Sequence, residues 1–169
     1  MFLLDTDVIS NLRKPKPHPD LVEWLEGVDA DELAVSVQTI FEIRMGVELI
    51  RKQDIAKADE ILAWLKDFAL KGRWQIVPVD AETSMLAAQM WSTPALKNFI
   101  VQDPRSKKIK TGGDLMIAAT AIRHQATIMS FNAEDFAEIN ALFPIPGVVN
   151  PDGMQWLAGE APGAGLGMR

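Results

Sequence analysis

Five short apolar runs alternate along this chain with segments whose apolar residues recur at helical spacing. The runs are Met1-Phe2-Leu3-Leu4, Leu33-Ala34-Val35-Ser36, Gln75-Ile76-Val77-Pro78-Val79, Thr127-Ile128-Met129 and the pair Val148-Val149. Each is too brief for a helix and reads as a strand or, for Val148-Val149, as part of a last short one. Between them, Asp54 to Lys71 is the clearest helix. Ile55, Ala58, Ile61, Leu62, Leu65, Phe68 and Ala69 form one stripe, and Gly72 stands ready to close it. Helices are also predicted from Pro19 to Gly27, from an N-cap at Ser36 to about Arg51, and from Ala81 to about Trp91. Two more follow, from Thr111-Gly112-Gly113 to near Gln125 and from Ala133 to Leu142. Strands and helices in this order predict an α/β fold, a three-layer sandwich around a mostly parallel central sheet of about five strands. The 169 residues suit one domain, assigned to residues 1–150. The remainder, 151–169, is rich in Gly, Ala and Pro and is expected to be a partly disordered tail beyond Trp156-Leu157.

Several function classes are excluded early. No apolar run approaches the roughly 20 residues that span a bilayer. Asp5 and Asp7 interrupt the first apolar run at once, which argues against a signal peptide. Cysteine is absent, so no disulfide framework or thiolate metal site is available. A cytoplasmic protein with no membrane partner is the expectation. With 17 Lys+Arg against 23 Asp+Glu, the net charge of -6 argues against coating nucleic acid by bulk charge, but not against a local grip on one strand. Basic residues gather at Arg13-Lys14-Pro15-Lys16 and at Arg105-Ser106-Lys107-Lys108-Ile109-Lys110. Lys107, Lys108 and Lys110 lie just before Asp114, in an irregular stretch whose length is typical of a functional loop, and are candidate phosphate contacts; a solvated charged loop is the plain alternative.

Three carboxylates stand in apolar company. Asp5 ends the first run, Glu42 lies among Ile40, Phe41 and Ile43, and Asp114 opens Leu115-Met116-Ile117-Ala118-Ala119-Thr120-Ala121. In an open parallel sheet, sites form beyond the carboxyl ends of the strands. Asp5 and Ser130 directly follow strands, and Glu42 and Asp114 sit near helix starts that face the same edge. Carboxylates brought together there repel one another, and a cation must offset the cost. Oxygen ligands without Cys or His suit Mg²⁺ or Mn²⁺. Phosphodiester hydrolysis is the chemistry such a set serves, since carboxylates meet a polyanion only through a metal. Each residue alone has a structural explanation. Asp5 could cap the next turn, Glu42 could pair with a base at a tight helix crossing marked by Gly46, and Asp114 could answer its helix dipole. Asp7 is read as a helix cap, and His18 and His124 as surface or packing residues.

Four ordered motifs resemble those of the PIN-domain nucleases. They are Leu3-Leu4-Asp5-Thr6-Asp7-Val8-Ile9-Ser10, Ser36-Val37-Gln38-Thr39-Ile40-Phe41-Glu42-Ile43-Arg44-Met45-Gly46, Asp114-Leu115-Met116-Ile117-Ala118-Ala119-Thr120-Ala121 and Ser130-Phe131-Asn132-Ala133-Glu134-Asp135-Phe136. The nearest likeness is to the VapC- and FitB-type toxins of bacterial toxin–antitoxin pairs, over roughly residues 1–150. The resemblance implies a ribonuclease dependent on Mg²⁺ or Mn²⁺, an RNA substrate, a small cognate antitoxin and a homodimer. It makes Asp5, Glu42 and Asp114 metal ligands and adds Asp135 and Asn132 from the closing motif, with Asp135 the better ligand for a hard cation. Ser130 keeps the hydroxyl of the family's usual threonine and is a candidate substrate contact. Asp7 stands where Asn is common.

Two rivals remain in view. Asp5-Thr6-Asp7 after a strand also resembles a haloacid-dehalogenase phosphatase, but that class wants threonine where Ile9 stands, and its last acidic motif follows its Ser/Thr motif, whereas Asp114 precedes Ser130. A catalytically weak PIN-like binding or regulatory module is the other. For self-association or antitoxin contact, Trp24, Leu25, Ile40, Met45 and Leu49 are candidates, with core packing the plain alternative.

Overall fold

The structure, a computed structural model, describes residues 1–72, 74–101 and 110–160. Six strands form one sheet: β1 (Phe2–Leu4), β2 (Leu33–Ser36), β3 (Gln75–Val77), β4 (Thr127–Met129), β5 (Gly147–Asn150) and β6 (Gln155–Ala158). Their spatial order is β3-β2-β1-β4-β5-β6. β1 to β5 run parallel, and β6 is antiparallel to β5.

Strand alternation divides the core into two layers. Leu3, Ala34, Ile128 and Val148 point to one face of the sheet, while Phe2, Leu4, Leu33, Val35, Met129 and Val149 point to the other. The first face is covered by α5 (Ala81–Trp91), α6 (Gly113–Arg123) and α7 (Ala133–Asn140). The second is covered by α1 (Thr6–Leu12), α2 (Pro19–Glu26), α3 (Val37–Arg51) and α4 (Ile55–Lys71). Both faces of the central strands are buried, which is why these strands read as unbroken apolar runs rather than alternating ones. On α4 the stripe delivers Ala58, Ile61 and Leu65 to the core, and the Asp54 carboxylate caps the helix by accepting from Lys57 N at 2.9 Å.

The order of the strands fixes where a site can form. After β1 the chain adds β2 and β3 on one side, then crosses to place β4 and β5 on the other. The crossovers diverge beside the carboxyl end of β1, and that divergence leaves a crevice. Asp5 and Ser130 lie at its floor: Asp5 N donates to Met129 O at 3.0 Å, and Ser130 N donates to Val149 O at 3.1 Å.

Three features differ from the sequence reading. Residues 6–12, to which the sequence reading assigned no element, form α1, because Asp5 has extended backbone and its carboxylate accepts from Thr6 N at 2.6 Å, starting a helix at once. The sheet has six strands where about five were expected. The sixth, β6, lies in the segment assigned to the tail, where Trp156 and Leu157 extend the sheet. Residues 161–169 lie outside the described residues. Trp24, Leu25 and Ile40 pack against the core, so only Met45 and Leu49 of the proposed contact set face an opening. No helix among the described residues is long and apolar enough to cross a membrane.

Trp156 anchors β6 by packing edge-on to Phe2, with ring centroids 6.5 Å apart; Phe2 in turn meets Trp24 at 4.9 Å. Trp156→Ala is therefore expected to destabilise the whole domain by about 2–4 kcal/mol, somewhat less than a fully buried tryptophan would. Urea unfolding checks this, and a loss below roughly 1 kcal/mol would place β6 outside the cooperative unit.

Candidate active site

The crevice opens into a cavity of about 560 Å³ whose lining includes Asp5, Glu42, Asp114, Asn132 and Asp135. All five residues thus meet in one place, from four separate segments. Asp5 arrives at the end of β1. Ser36 ends β2 and caps α3 by accepting from Thr39 N at 3.0 Å, and six residues on α3 presents Glu42. Asp114 stands in the first turn of α6. Ser130 ends β4, and Asn132 and Asp135 sit at the start of α7.

Asp5, Glu42 and Asp135 accept from neutral donors. Asp5 is 5% exposed and accepts from the Ser130 hydroxyl at 2.8 Å besides its bond to Thr6 N. Glu42 Oε2 accepts from the Thr6 hydroxyl at 2.5 Å, while Oε1 accepts from Gln38 Nε2 at 3.2 Å and from the Thr111 hydroxyl at 3.3 Å. Asn132 Nδ2 donates to Asp135 Oδ2. Burial pushes the Asp5 carboxyl well above its ordinary value of 3.8, the neighbouring Asp7 and Asp114 push it further, and the bonds from Ser130 and Thr6 only partly oppose them. The ion pair of Arg51 with Asp59, at 2.7 Å, lies outside this cavity.

Asp7 departs from the sequence reading. The cap of α1 is Asp5, and Asp7 instead reaches across to the loop before α7. There it accepts from Phe131 N at 3.3 Å, Asn132 N at 3.2 Å and the Ser130 hydroxyl at 3.2 Å. Burial raises its carboxyl, against these bonds. It latches α1 to the Ser130–Asn132 turn and so fixes the hydroxyl that Asp5 uses.

The glycines also sort differently from expectation. At Gly46 an added Cβ would meet nothing within 4 Å, so no close crossing explains it. At Gly113 the same atom would fall 1.6 Å from Glu42 Oε1. The glycine directly before Asp114 thus makes room for a carboxylate of the site itself. Sequence reasoning missed Thr6, Gln38 and Thr111 as partners of Glu42, and Ser10 and Asn98 as lining residues. Only Gln38 had a readable signal, four residues before Glu42 on one helix face. Lys110 lines the cavity and its Nζ donates to Asn98 O; Lys107 and Lys108 lie outside the described residues.

Oxygen donors alone, with one carboxylate buried beside two others, fit a hard divalent cation. Among the described residues no three carboxylates already stand as a ligand cluster around one point. The fit therefore rests on donor chemistry and on the uncompensated charge at Asp5.

Residues 2–142 match the model of the PIN domain. The chain belongs to the PIN domain family. Toxin FitB of Neisseria gonorrhoeae is 32% identical over 148 residues, 83% of this chain and 97% of that protein. A VapC ribonuclease of Sinorhizobium fredii is 28% identical over 142 residues, 80% of this chain and 90% of its own length. Among solved structures, the FitAcB crystal structure from N. gonorrhoeae superposes with a TM-score of 0.66 at 26% identity, covering 91% of this chain and all of that one. In this PIN domain the matched stretch takes in every candidate site residue and stops short of β5 and β6.

Removing the Asp5 charge should stabilise the metal-free PIN domain. A carboxyl whose folded pKa is raised leaves stability intact below its unfolded value and loses it as pH rises through the folded one. Asp5→Asn is therefore expected to melt above wild type in chelator at pH 7, with the gain shrinking as pH falls toward about 4. Thermal melts at both pH values check this; a variant melting far below wild type at pH 7 would make the carboxylate a structural necessity.

Proposed function

We propose that this chain is a metal-dependent endoribonuclease acting as the toxin of a toxin–antitoxin pair. The observation that carries the reading is the buried Asp5 carboxylate, set beside Asp7 and Asp114 at the floor of a cavity and bonded only to neutral donors. Such a charge has its natural counterpart in a bound cation. The relatives named Toxin FitB and VapC ribonuclease support the biological role and the phosphodiester substrate.

Asp5, Glu42, Asp114 and Asp135 would hold Mg²⁺ or Mn²⁺. When bound, the ion supplies positive charge for the phosphate and lowers the pKa of a water at the site. The chain's own groups do the rest. Ser130 and Thr6 N orient Asp5. Thr6, Gln38 and Thr111 fix both oxygens of Glu42, and Asn132 fixes one oxygen of Asp135. Because these donors are neutral, Asp5, Glu42 and Asp135 keep their charge available. Lys110 at the cavity edge offers an ammonium to the strand's phosphates, and the hydroxyls of Thr6 and Ser10 offer further donors. Hydrolysis adds the elements of water across one P–O bond, leaving a terminal phosphate on one fragment and a hydroxyl on the other. A small antitoxin is the expected partner. A homodimer would cover the apolar residues Val37, Phe41 and Leu49, which are exposed on α3.

The purified protein, freed of any antitoxin, is expected to cut single-stranded RNA in Mg²⁺ or Mn²⁺ and to stop in EDTA; equal cleavage in EDTA would remove the metal from the mechanism. Asp114→Asn should abolish cleavage while the protein stays folded by circular dichroism. No cleavage by wild type under any metal would favour a binding module.

The closing motif admits a separate test. Asp135 brings a charge, whereas Asn132 spends its amide on holding Asp135. Asp135→Ala is expected to raise the Mg²⁺ concentration for half-maximal activity more than Asn132→Ala does. An unchanged Mg²⁺ titration for Asp135→Ala, with Asn132→Ala strongly impaired, would reverse the assignment.

A further inference from the structure

Trp91 is the last residue of α5, and it is 42% exposed. Its indole does not sit in the core. One side lies against Gly112: an added Cβ there would meet Cη2 and Cζ3 at 2.4 Å and Cε3 at 3.0 Å. Trp91 also lines a surface groove with Ser84, Ala87, Ala88, Ser92 and Met116. Gly112 is the N-cap of α6 at φ 68°, left-handed backbone with no side chain to tie the turn down. Its neighbours on both sides belong to the site. Thr111 bonds Glu42, Gly113 admits the same carboxylate, and Asp114 follows. The turn is therefore gripped between two surfaces, the indole of α5 and the Glu42 carboxylate of α3.

We propose that Trp91 is a positioning residue of the site: its indole, seated on Gly112, presses the Thr111–Gly113 turn against α3 and so sets the separation of Glu42 from Asp114. This rests on the nuclease reading for its kinetic consequence, though not for its geometry. Three properties suit the task. The ring is flat and rigid, so it fixes a backbone that has no side chain of its own. Gly112 O accepts from Met116 N at 3.3 Å, which couples the turn to the first helical bonds of α6. The half-exposed position means that truncation removes the clamp while leaving few core contacts broken.

The test compares wild type with Trp91→Ala, Trp91→Phe and Met85→Ala, the last an exposed residue of the same helix. Mn²⁺ binding is read directly by electron paramagnetic resonance, RNA cleavage by kcat and KM, and folding by thermal melts in chelator. Trp91→Ala is expected to weaken Mn²⁺ binding by roughly tenfold. Its kcat should fall by a similar factor or more with KM little changed, because misplaced ligands cost the chemical step more than substrate capture. Trp91→Phe keeps a flat ring over Gly112 and should recover most of both losses, and Met85→Ala should match wild type. Wild-type Mn²⁺ affinity and kcat in Trp91→Ala would overturn the proposal. So would equal losses in the Ala and Phe variants accompanied by a lowered melt, since that pattern reports stability alone. If wild type binds Mn²⁺ but cuts no RNA, the nuclease reading fails and the binding comparison still decides the role of Trp91.

Discussion

The hydrogen bond from Ser130 to Asp5 joins the ends of two adjacent parallel strands at the point where the sheet's connections diverge. Much of the site depends on it. Asp5 is buried, and a buried carboxylate is tolerated only if its oxygens are occupied. One oxygen starts α1, and the other takes the Ser130 hydroxyl. Asp7, two residues further, accepts from the loop that carries that hydroxyl and so holds it in register. Thr6, between them, turns toward α3 and fixes Glu42. Three consecutive residues thus bind β4, α3 and the start of α7 to the end of β1.

The cost of this arrangement is electrostatic. Asp7 and Asp114 raise the energy of the buried Asp5 carboxylate, and the Ser130 hydroxyl and Thr6 amide bonded to it relieve only part of the cost. A compact domain bears such strain where function requires it. The same neutrality serves chemistry, because a carboxylate tied up by an arginine would have less to offer a metal. Glu42 shows this most fully, with three uncharged donors on two oxygens and a glycine set opposite to leave it space. The indole of Trp91 closes the other side of that glycine turn, where the chain itself has no side chain to offer.

Periodicity alone located α5 and β4 to the residue, because nothing in those segments competes with the apolar pattern. It failed at α1, where Asp5-Thr6-Asp7 carries turn chemistry and the helix is only seven residues long. It failed again at β6, a strand embedded in glycine and proline whose pairing with β5 is set by Trp156 against Phe2, contacts that span the whole chain. Gly46 and Gly113 look alike in sequence. Only the second is required by a neighbour, and that neighbour is 71 positions away in the chain.

The identities and order of Asp5, Glu42, Asp114, Ser130 and Asp135 were written in the sequence, and with them the expectation of an oxygen-lined site at the carboxyl edge of a parallel sheet. Local pattern suffices for that, since strand ends and helix starts are short-range properties and the edge they share follows from handed connections. Which donors hold each carboxylate, which way Asp7 turns, and what secures the turn before Asp114 were decided by tertiary structure alone. Those outcomes depend on side chains far apart in the chain meeting within about 3 Å, a condition that no local pattern of residues encodes.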